Sequence, residues 1–247
     1  MLTLLTMTGS RPQAFALCNR WMSNQEYQGA VRWLVVDDGE SPQTITLNRA
    51  NWTIEHIRPT PFWKPGQNTQ ARNILAGLSL VRPEDRLVII EDDDYYAPGY
   101  LEAASAWLDH HDLAGEALAR YYNVKSGLFL NCNNNGHASL CSTAMKGSAI
   151  IHFREVVERK LDFIDMTLWR TYQGMKQLYS SRLCVGIKGL PGRAGIGAGH
   201  RLSRTRNTVQ SDSDGSLLSA WCGDDWTYYL PYMGEKCPSS AYQELSK

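Results

Sequence analysis

Along the first hundred residues, short apolar runs alternate with stretches whose apolar positions recur every three to four residues. Residues 2–7 read as a buried strand, stopped by Thr8-Gly9-Ser10, and Pro12 suits the first turn of a helix reaching about residue 25. Residues 31–36 form a second apolar run that ends in Asp37-Asp38-Gly39, and residues 52–57 a third, closed by Pro59 and Pro61. The spacing of Ala71, Leu75 and Leu78 predicts a helix over 69–81. A fourth strand, 86–90, runs directly into Glu91-Asp92-Asp93-Asp94, and Pro98 opens a helix over 99–109. Strands alternating with helices predict parallel pairing through right-handed crossovers. In such sheets ligands collect at the carboxyl ends of the strands. The polar clusters at 8–11, 37–38 and 91–94 all fall at such ends and are expected to share one pocket.

The second half is less regular. An Asn-rich loop at 131–135 is followed by a predicted strand at 149–153, predicted helices at 154–160 and 165–180, and a glycine-rich segment at 186–199. The last forty residues are polar apart from Trp221, Trp226, Tyr228, Tyr229 and Tyr232, an expected helical appendage that packs on the domain.

Composition narrows the class. The chain has 247 residues, 25 basic and 25 acidic, and 43% hydrophobic residues, which is a globular composition with no global attraction to nucleic acid. No apolar run is long enough to predict a membrane span, and residues 1–7 are too short for a signal core. Six scattered cysteines without a C-x-x-C pair predict reduced thiols in a cytoplasm, bacterial or phage-infected, and argue against a cysteine zinc site.

Four consecutive acids after an apolar strand repel one another unless a cation joins them. A hard divalent ion, Mn²⁺ or Mg²⁺, prefers such oxygens and bridges them to substrate phosphates; the plainer reading is a solvated acidic turn before a helix. The run from Ile90 through Glu91-Asp92-Asp93-Asp94-Tyr95-Tyr96 to Pro98 resembles the acidic metal motif of family 2 glycosyltransferases. By that resemblance Asp93 is the metal ligand, with Glu91 (in place of the usual aspartate) and Asp92 near the donor ribose and the metal. Val35-Val36-Asp37-Asp38-Gly39 is similar to the segment whose second aspartate, here Asp38, holds the uracil or ribose. Ala71-Arg72-Asn73 resembles the family's A-R-N, which turns Arg72 toward the diphosphate. The segment from Met7 to Pro12 keeps the family's Arg-Pro at Arg11 and Pro12, with Thr8 beside the donor, but places Gly9 where an aromatic residue is usual.

The resemblance implies a GT-A (Rossmann-like) α/β fold, a mixed and mainly parallel sheet flanked by helices. Residues 1–205 would form the transferase domain, with a nucleotide-sugar half (1–98) and an acceptor half (99–205), and 206–247 a C-terminal extension packed on it. It implies a metal-dependent, inverting transfer from a nucleoside-diphosphate sugar, a UDP-sugar by preference, to an acceptor hydroxyl. Ile164-Asp165-Met166-Thr167-Leu168-Trp169 is similar to the segment that carries the family's general base, which points to Asp165. Helix capping is its structural alternative, and Asp162 its nearest rival. His200, after a glycine-rich run, matches the late histidine that several GT-A enzymes add to the metal.

From residue 166 to 211 there is no acid, while Lys188, Arg193, Arg201, Arg204 and Arg206 supply positive charge. This stretch fits a diphosphate clamp, or else an anionic acceptor such as hydroxymethylated nucleic-acid bases, the phage type of glycosyltransferase. The other readings are a nucleotidyltransferase of related fold, for which 8–11 is too short a loop, and an inactive sugar-nucleotide-binding module.

Overall fold

The computed structural model describes residues 1–132, 134–159, 163–193, 195 and 208–234. In chain order the first half contains β1 (Leu2–Thr8), α1 (Pro12–Ser23), β2 (Val31–Asp37), β3 (Trp52–Ile57), α2 (Gln70–Leu78), β4 (Arg86–Ile89), β5 (Tyr95–Tyr96) and α3 (Tyr100–His110). The second half contains β6 (Leu113–Glu116), β7 (Arg120–Asn123), β8 (Leu128–Asn131), β9 (Thr143–Lys146), α4 (Ser148–Glu158), α5 (Ile164–Thr171), β10 (Lys176–Tyr179), β11 (Cys184–Lys188), β12 (Gln210–Ser211) and α6 (Ser216–Cys222).

The strand alternation decides how the layers form. In β1, Leu2 and Leu4 face one apolar cluster and Leu5 the other; in β2, Val31, Trp33 and Val35 oppose Leu34 and Val36. A strand buried on both faces needs helices on both faces. α1 and α3 cover one side, and α2, α4 and α5 the other. The seven strands lie in the order β10-β6-β9-β4-β1-β2-β3. The pairs β1–β2, β1–β4, β2–β3 and β6–β10 are parallel, and β9 runs antiparallel between β4 and β6. The sheet is thus mixed and mainly parallel, as expected. The register that sets Thr8 opposite Asp37 aligns the carboxyl ends of β1 and β2.

A second sheet, β12-β8-β7-β11-β5, packs beside the first, and its β11 brings Cys184–Lys188 alongside Tyr95–Tyr96. Two readings of the second half change. The apolar run at 149–153 is the first part of one helix, α4, and not a strand followed by a helix. Ala149, Ile150, Phe153, Val156 and Val157 are its buried positions, a helical spacing that the five-residue run alone does not display. The predicted helix at 165–180 stops at Thr171, and 176–179 form the edge strand β10. The Lys176 ammonium donates to the carbonyls of Trp169 and Tyr172, both at 2.7 Å, closing the carboxyl end of α5.

The C-terminal aromatics pack against the first half. Trp21 on α1 meets Tyr95, Tyr228 and Tyr229 with ring centroids 5.1, 5.8 and 5.9 Å away. Trp21 is fully buried, so Trp21→Ala should cost about 3–5 kcal/mol and loosen this attachment, measurable by chemical denaturation. Among the described residues no helix is long and apolar enough to cross a membrane, and the five described cysteines are unbridged.

Candidate active site

The carboxyl ends of β1, β2 and β4 bring the expected clusters together. Thr8 Oγ1 donates to Asp92 Oδ2 at 2.7 Å, and the Arg11 guanidinium spans Asp92 Oδ1 and Asp93 Oδ2, each at 2.7 Å. Asp92, Asp93 and Asp94 are all buried. Burial works against the Arg11 charge, but the facing carboxylates outweigh it and push its pKa up. Burial pushes Asp92 up in turn, with Arg11 opposing. Glu91 rises well above the usual carboxylate range because it is desolvated and faces Asp94. Asp94 is pushed up to about 6 by burial, against the pull of Lys188.

Asp37 and Asp38 are neighbours with different tasks. Asp37 is fully buried: its Oδ1 accepts the Gly39 N–H at 2.9 Å, and its Oδ2 accepts from the Gln43 N–H at 2.8 Å and from Arg58 at 2.6 Å, with His56 Nε2 at 3.1 Å. It shapes the turn after β2. Asp38 is equally buried but meets different partners: Thr69 Oγ1 and Arg72 (2.8 Å) donate to its Oδ2 and Arg193 to its Oδ1 at 3.0 Å. Arg72 also donates to the Pro61 carbonyl at 2.7 Å, which fixes its guanidinium at the mouth of α2.

Gly9 explains its own departure from the family pattern. At φ +146°, a Cβ there would fall 2.2 Å from Asp38 Oδ1 and 2.7 Å from the Gly39 nitrogen, so no aromatic side chain fits. The loop carrying Arg193 closes on the same spot. Gly192, at φ +100°, sits where a Cβ would meet the Ser10 carbonyl at 2.7 Å, and the Arg193 N–H donates to that carbonyl at 3.2 Å. The Arg193 guanidinium lies 4.9 Å from the Trp63 ring centroid.

Asp165 is the second residue of α5 and only partly buried; its Oδ1 accepts the Met166 N–H at 2.8 Å. Burial raises its pKa, with that hydrogen bond opposing. Its charge adds to the upward push on the Glu91 carboxyl, behind burial and Asp94. His200, Asp162, Arg201, Arg204 and Arg206 lie outside the described residues.

Thr69 is a site residue with no place among the expected ones, whereas Lys188 and Arg193, expected only as part of a diphosphate clamp or an anionic-acceptor face, pair directly with the acids. Lys188 ends β11, and its ammonium reaches Asp94 Oδ1 at 2.7 Å and Asp93 Oδ2 at 3.3 Å. Its signal was available: Cys184-Val185-Gly186-Ile187 is an apolar run ending in a charge, hidden by the glycines that follow. The donor set suits a hard divalent ion, since it consists of carboxylates and one buried acceptor, Asp94 Oδ2, has no hydrogen-bond partner among the described residues. Glu91, Asp94 and Cys141 also place ligand atoms within 4.8 Å of one another.

The chain matches no protein-family model and no curated protein sequence. Among solved structures it is similar to S. aureus TarS 1–349 in complex with UDP, at 13% identity, over 75% of this chain and 60% of that one, with a TM-score of 0.50. The same TarS fragment with UDP-GlcNAc matches at 13% identity over 79% and 60%, TM-score 0.49. The galactosyltransferase LgtC with donor and acceptor sugar analogues matches at 13% over 47% and 46%, TM-score 0.34. The chain therefore spans about six-tenths of the TarS fragment. The likeness to TarS at a TM-score of 0.50 is one of fold: the mixed, mainly parallel sheet flanked by helices in this chain is the GT-A fold.

Proposed function

We propose that the protein is a glycosyltransferase that moves a sugar from a nucleoside diphosphate, UDP by preference, to an acceptor hydroxyl with inversion. The observation that carries this reading is the convergence of Thr8, Arg11, Asp38 and Glu91–Asp94 from three strand ends of a GT-A fold, joined by Arg72 from the first turn of α2, into one cluster of paired charges. Asp38, held between Arg72 and Arg193, is the residue assigned to the base or ribose. The two guanidiniums keep N–H groups for the diphosphate, whose charge grows as the sugar leaves.

In the transfer, the acceptor oxygen forms a bond to the anomeric carbon while the bond from that carbon to the diphosphate oxygen breaks. The electron pair leaves on the diphosphate, and the acceptor proton goes to the Asp165 carboxylate. The metal proposed for this site, Mn²⁺ or Mg²⁺, would be held by Asp93, with His200 as a further ligand, and would supply charge neutralisation to the departing diphosphate. Arg11 orients Asp92 and Asp93, and Thr8 holds the second oxygen of Asp92.

The basic stretch favours the clamp over a nucleic-acid face. Its two described members near the pocket, Lys188 and Arg193, turn inward onto Asp93, Asp94 and Asp38 and are not displayed on the surface. The saccharide or small-molecule acceptor is thus the preferred class, and salt-sensitive binding of duplex DNA by the wild type would reverse that preference.

The reading is tested by titrating UDP calorimetrically into the wild type and Arg72→Ala. A charge-assisted contact is worth about 1.5–3 kcal/mol, so affinity should fall roughly 10- to 100-fold. Equal affinities would place the diphosphate elsewhere. Hydrolysis of a panel of sugar nucleotides in Mn²⁺ then identifies the donor.

A further inference from the structure

Lys188 is a buried lysine fixed between two carboxylates that a metal-dependent transferase would need for its ion. We propose that this ammonium is the resident cation of the carboxylate cluster, so that a divalent ion enters only together with the donor diphosphate. The proposal rests on the glycosyltransferase reading above and concerns how its cofactor is admitted.

The geometry is specific. Lys188 Nζ stands 2.7 Å from Asp94 Oδ1, which also accepts the Ile187 N–H at 2.9 Å, and 3.3 Å from Asp93 Oδ2. The ring of Tyr121 lies beneath it with its centroid 6.0 Å away. Asp93 Oδ2 is shared with Arg11 at 2.7 Å, so this one oxygen already serves two fixed positive groups. Neither cation can diffuse away. Lys188 is anchored by β11, which pairs with β7 on one side and β5 on the other, and Arg11 stands at the start of α1.

A divalent ion arriving alone would meet these two charges at close range, in a buried setting where screening is weak. It would also have to share Asp93 Oδ2 and Asp94 Oδ1, which hydrogen-bonded cations already satisfy, and would find Asp94 Oδ2 without a partner among the described residues. A nucleoside diphosphate changes both conditions, because it brings negative charge and further oxygen ligands of the kind Mg²⁺ and Mn²⁺ prefer. Without donor, the ammonium keeps the acids compatible with burial; with donor, the ion adds to an arrangement that is already in place.

The test measures Mn²⁺ binding from the loss of the free-ion electron paramagnetic resonance signal, for the wild type and Lys188→Met, with and without saturating UDP. UDP should tighten Mn²⁺ binding to the wild type by at least roughly tenfold, and Mn²⁺ should tighten UDP by the same factor. Lys188→Met should bind Mn²⁺ without UDP at least roughly tenfold more tightly than the wild type. Removing a buried cation also weakens the fold, so a second readout uses melting: Mn²⁺ alone should raise the melting temperature of Lys188→Met and leave that of the wild type unchanged. Wild-type Mn²⁺ affinity that is the same with and without UDP overturns the proposal, as does equal Mn²⁺ binding by the two proteins without nucleotide. Failure of UDP and of the other nucleoside diphosphates to bind the wild type at any Mn²⁺ concentration overturns the glycosyltransferase reading instead.

Discussion

Asp165→Asn is expected to lower sugar transfer by roughly 10²–10⁴-fold while UDP affinity stays close to wild type. Asparagine preserves the acceptor that the Met166 N–H requires, so the first turn of α5 keeps its bond, but the amide cannot take a proton. The loss falls in the transition state and not in ground-state binding, which is why donor affinity is spared. The pH dependence gives a second signature. Burial raises the Asp165 pKa, so the wild-type rate should climb with pH over a range displaced above that of an ordinary aspartate, and this limb should vanish in the variant.

Stability gives a third signature, with its own sign. A carboxyl whose folded pKa is raised contributes stability that is present at low pH and lost as pH rises through the folded value. At neutral pH the neutral asparagine escapes that penalty, so Asp165→Asn should melt no lower than the wild type. If the residue serves only the helix, turnover of Asp165→Asn at saturating donor will lie within a few-fold of wild type. Suspicion then moves to Asp162.

Asp37→Ala should be the most destabilising change at the site. The Asp37 carboxylate is fully buried and joins the Gly39 and Gln43 amides to Arg58 and His56, so it ties the turn after β2 to the strand beside it. Removing one partner of a buried ion pair costs roughly 3–5 kcal/mol. Arg58 is 25% exposed and can turn to water, which puts the expected loss at the lower end of that range. In a chain of this size that corresponds to a fall in melting temperature on the order of 10 °C. UDP affinity should fall as well, because Asp38 loses the turn that aims it at Arg72 and Arg193. A thermal midpoint within about 2 °C of wild type would show that the turn holds itself.

The adjacent pair Asp37-Asp38 shows where the chain is legible and where it is not. The family pattern singles out the second aspartate, and Asp38 does face Arg72. That its neighbour is the anchor of the turn depends on Arg58 and His56, which reach it only because β3 pairs in register with β2. Gly9 is similar. Its identity is plain, but the reason for it, the Asp38 carboxylate 2.2 Å from where a Cβ would stand, belongs to the packing of two strand ends.

The first hundred residues could be read element by element because hydrophobic periodicity is a local property, set by the rise and repeat of one strand or helix. β1, β2, β3 and β4 and the helices between them need only their own residues to announce them, and parallel pairing then puts the polar ends side by side. Beyond residue 110 the strands shorten to two to five residues, too few to show a period, and their burial comes from partners elsewhere: β9 from β4 and β6, β11 from β5 and β7. The charge pairing of the pocket is non-local in the same way. Lys188 lies 95 residues from Asp93, and Arg193 lies 155 from Asp38. The pattern along the chain was therefore enough for the parallel α/β layers and for the acids that crowd one edge of the sheet, and the motif resemblance added the GT-A expectation. Which cations meet those acids was decided by tertiary structure, because an ion pair depends on distance through space, and here the crossovers and the second sheet set that distance.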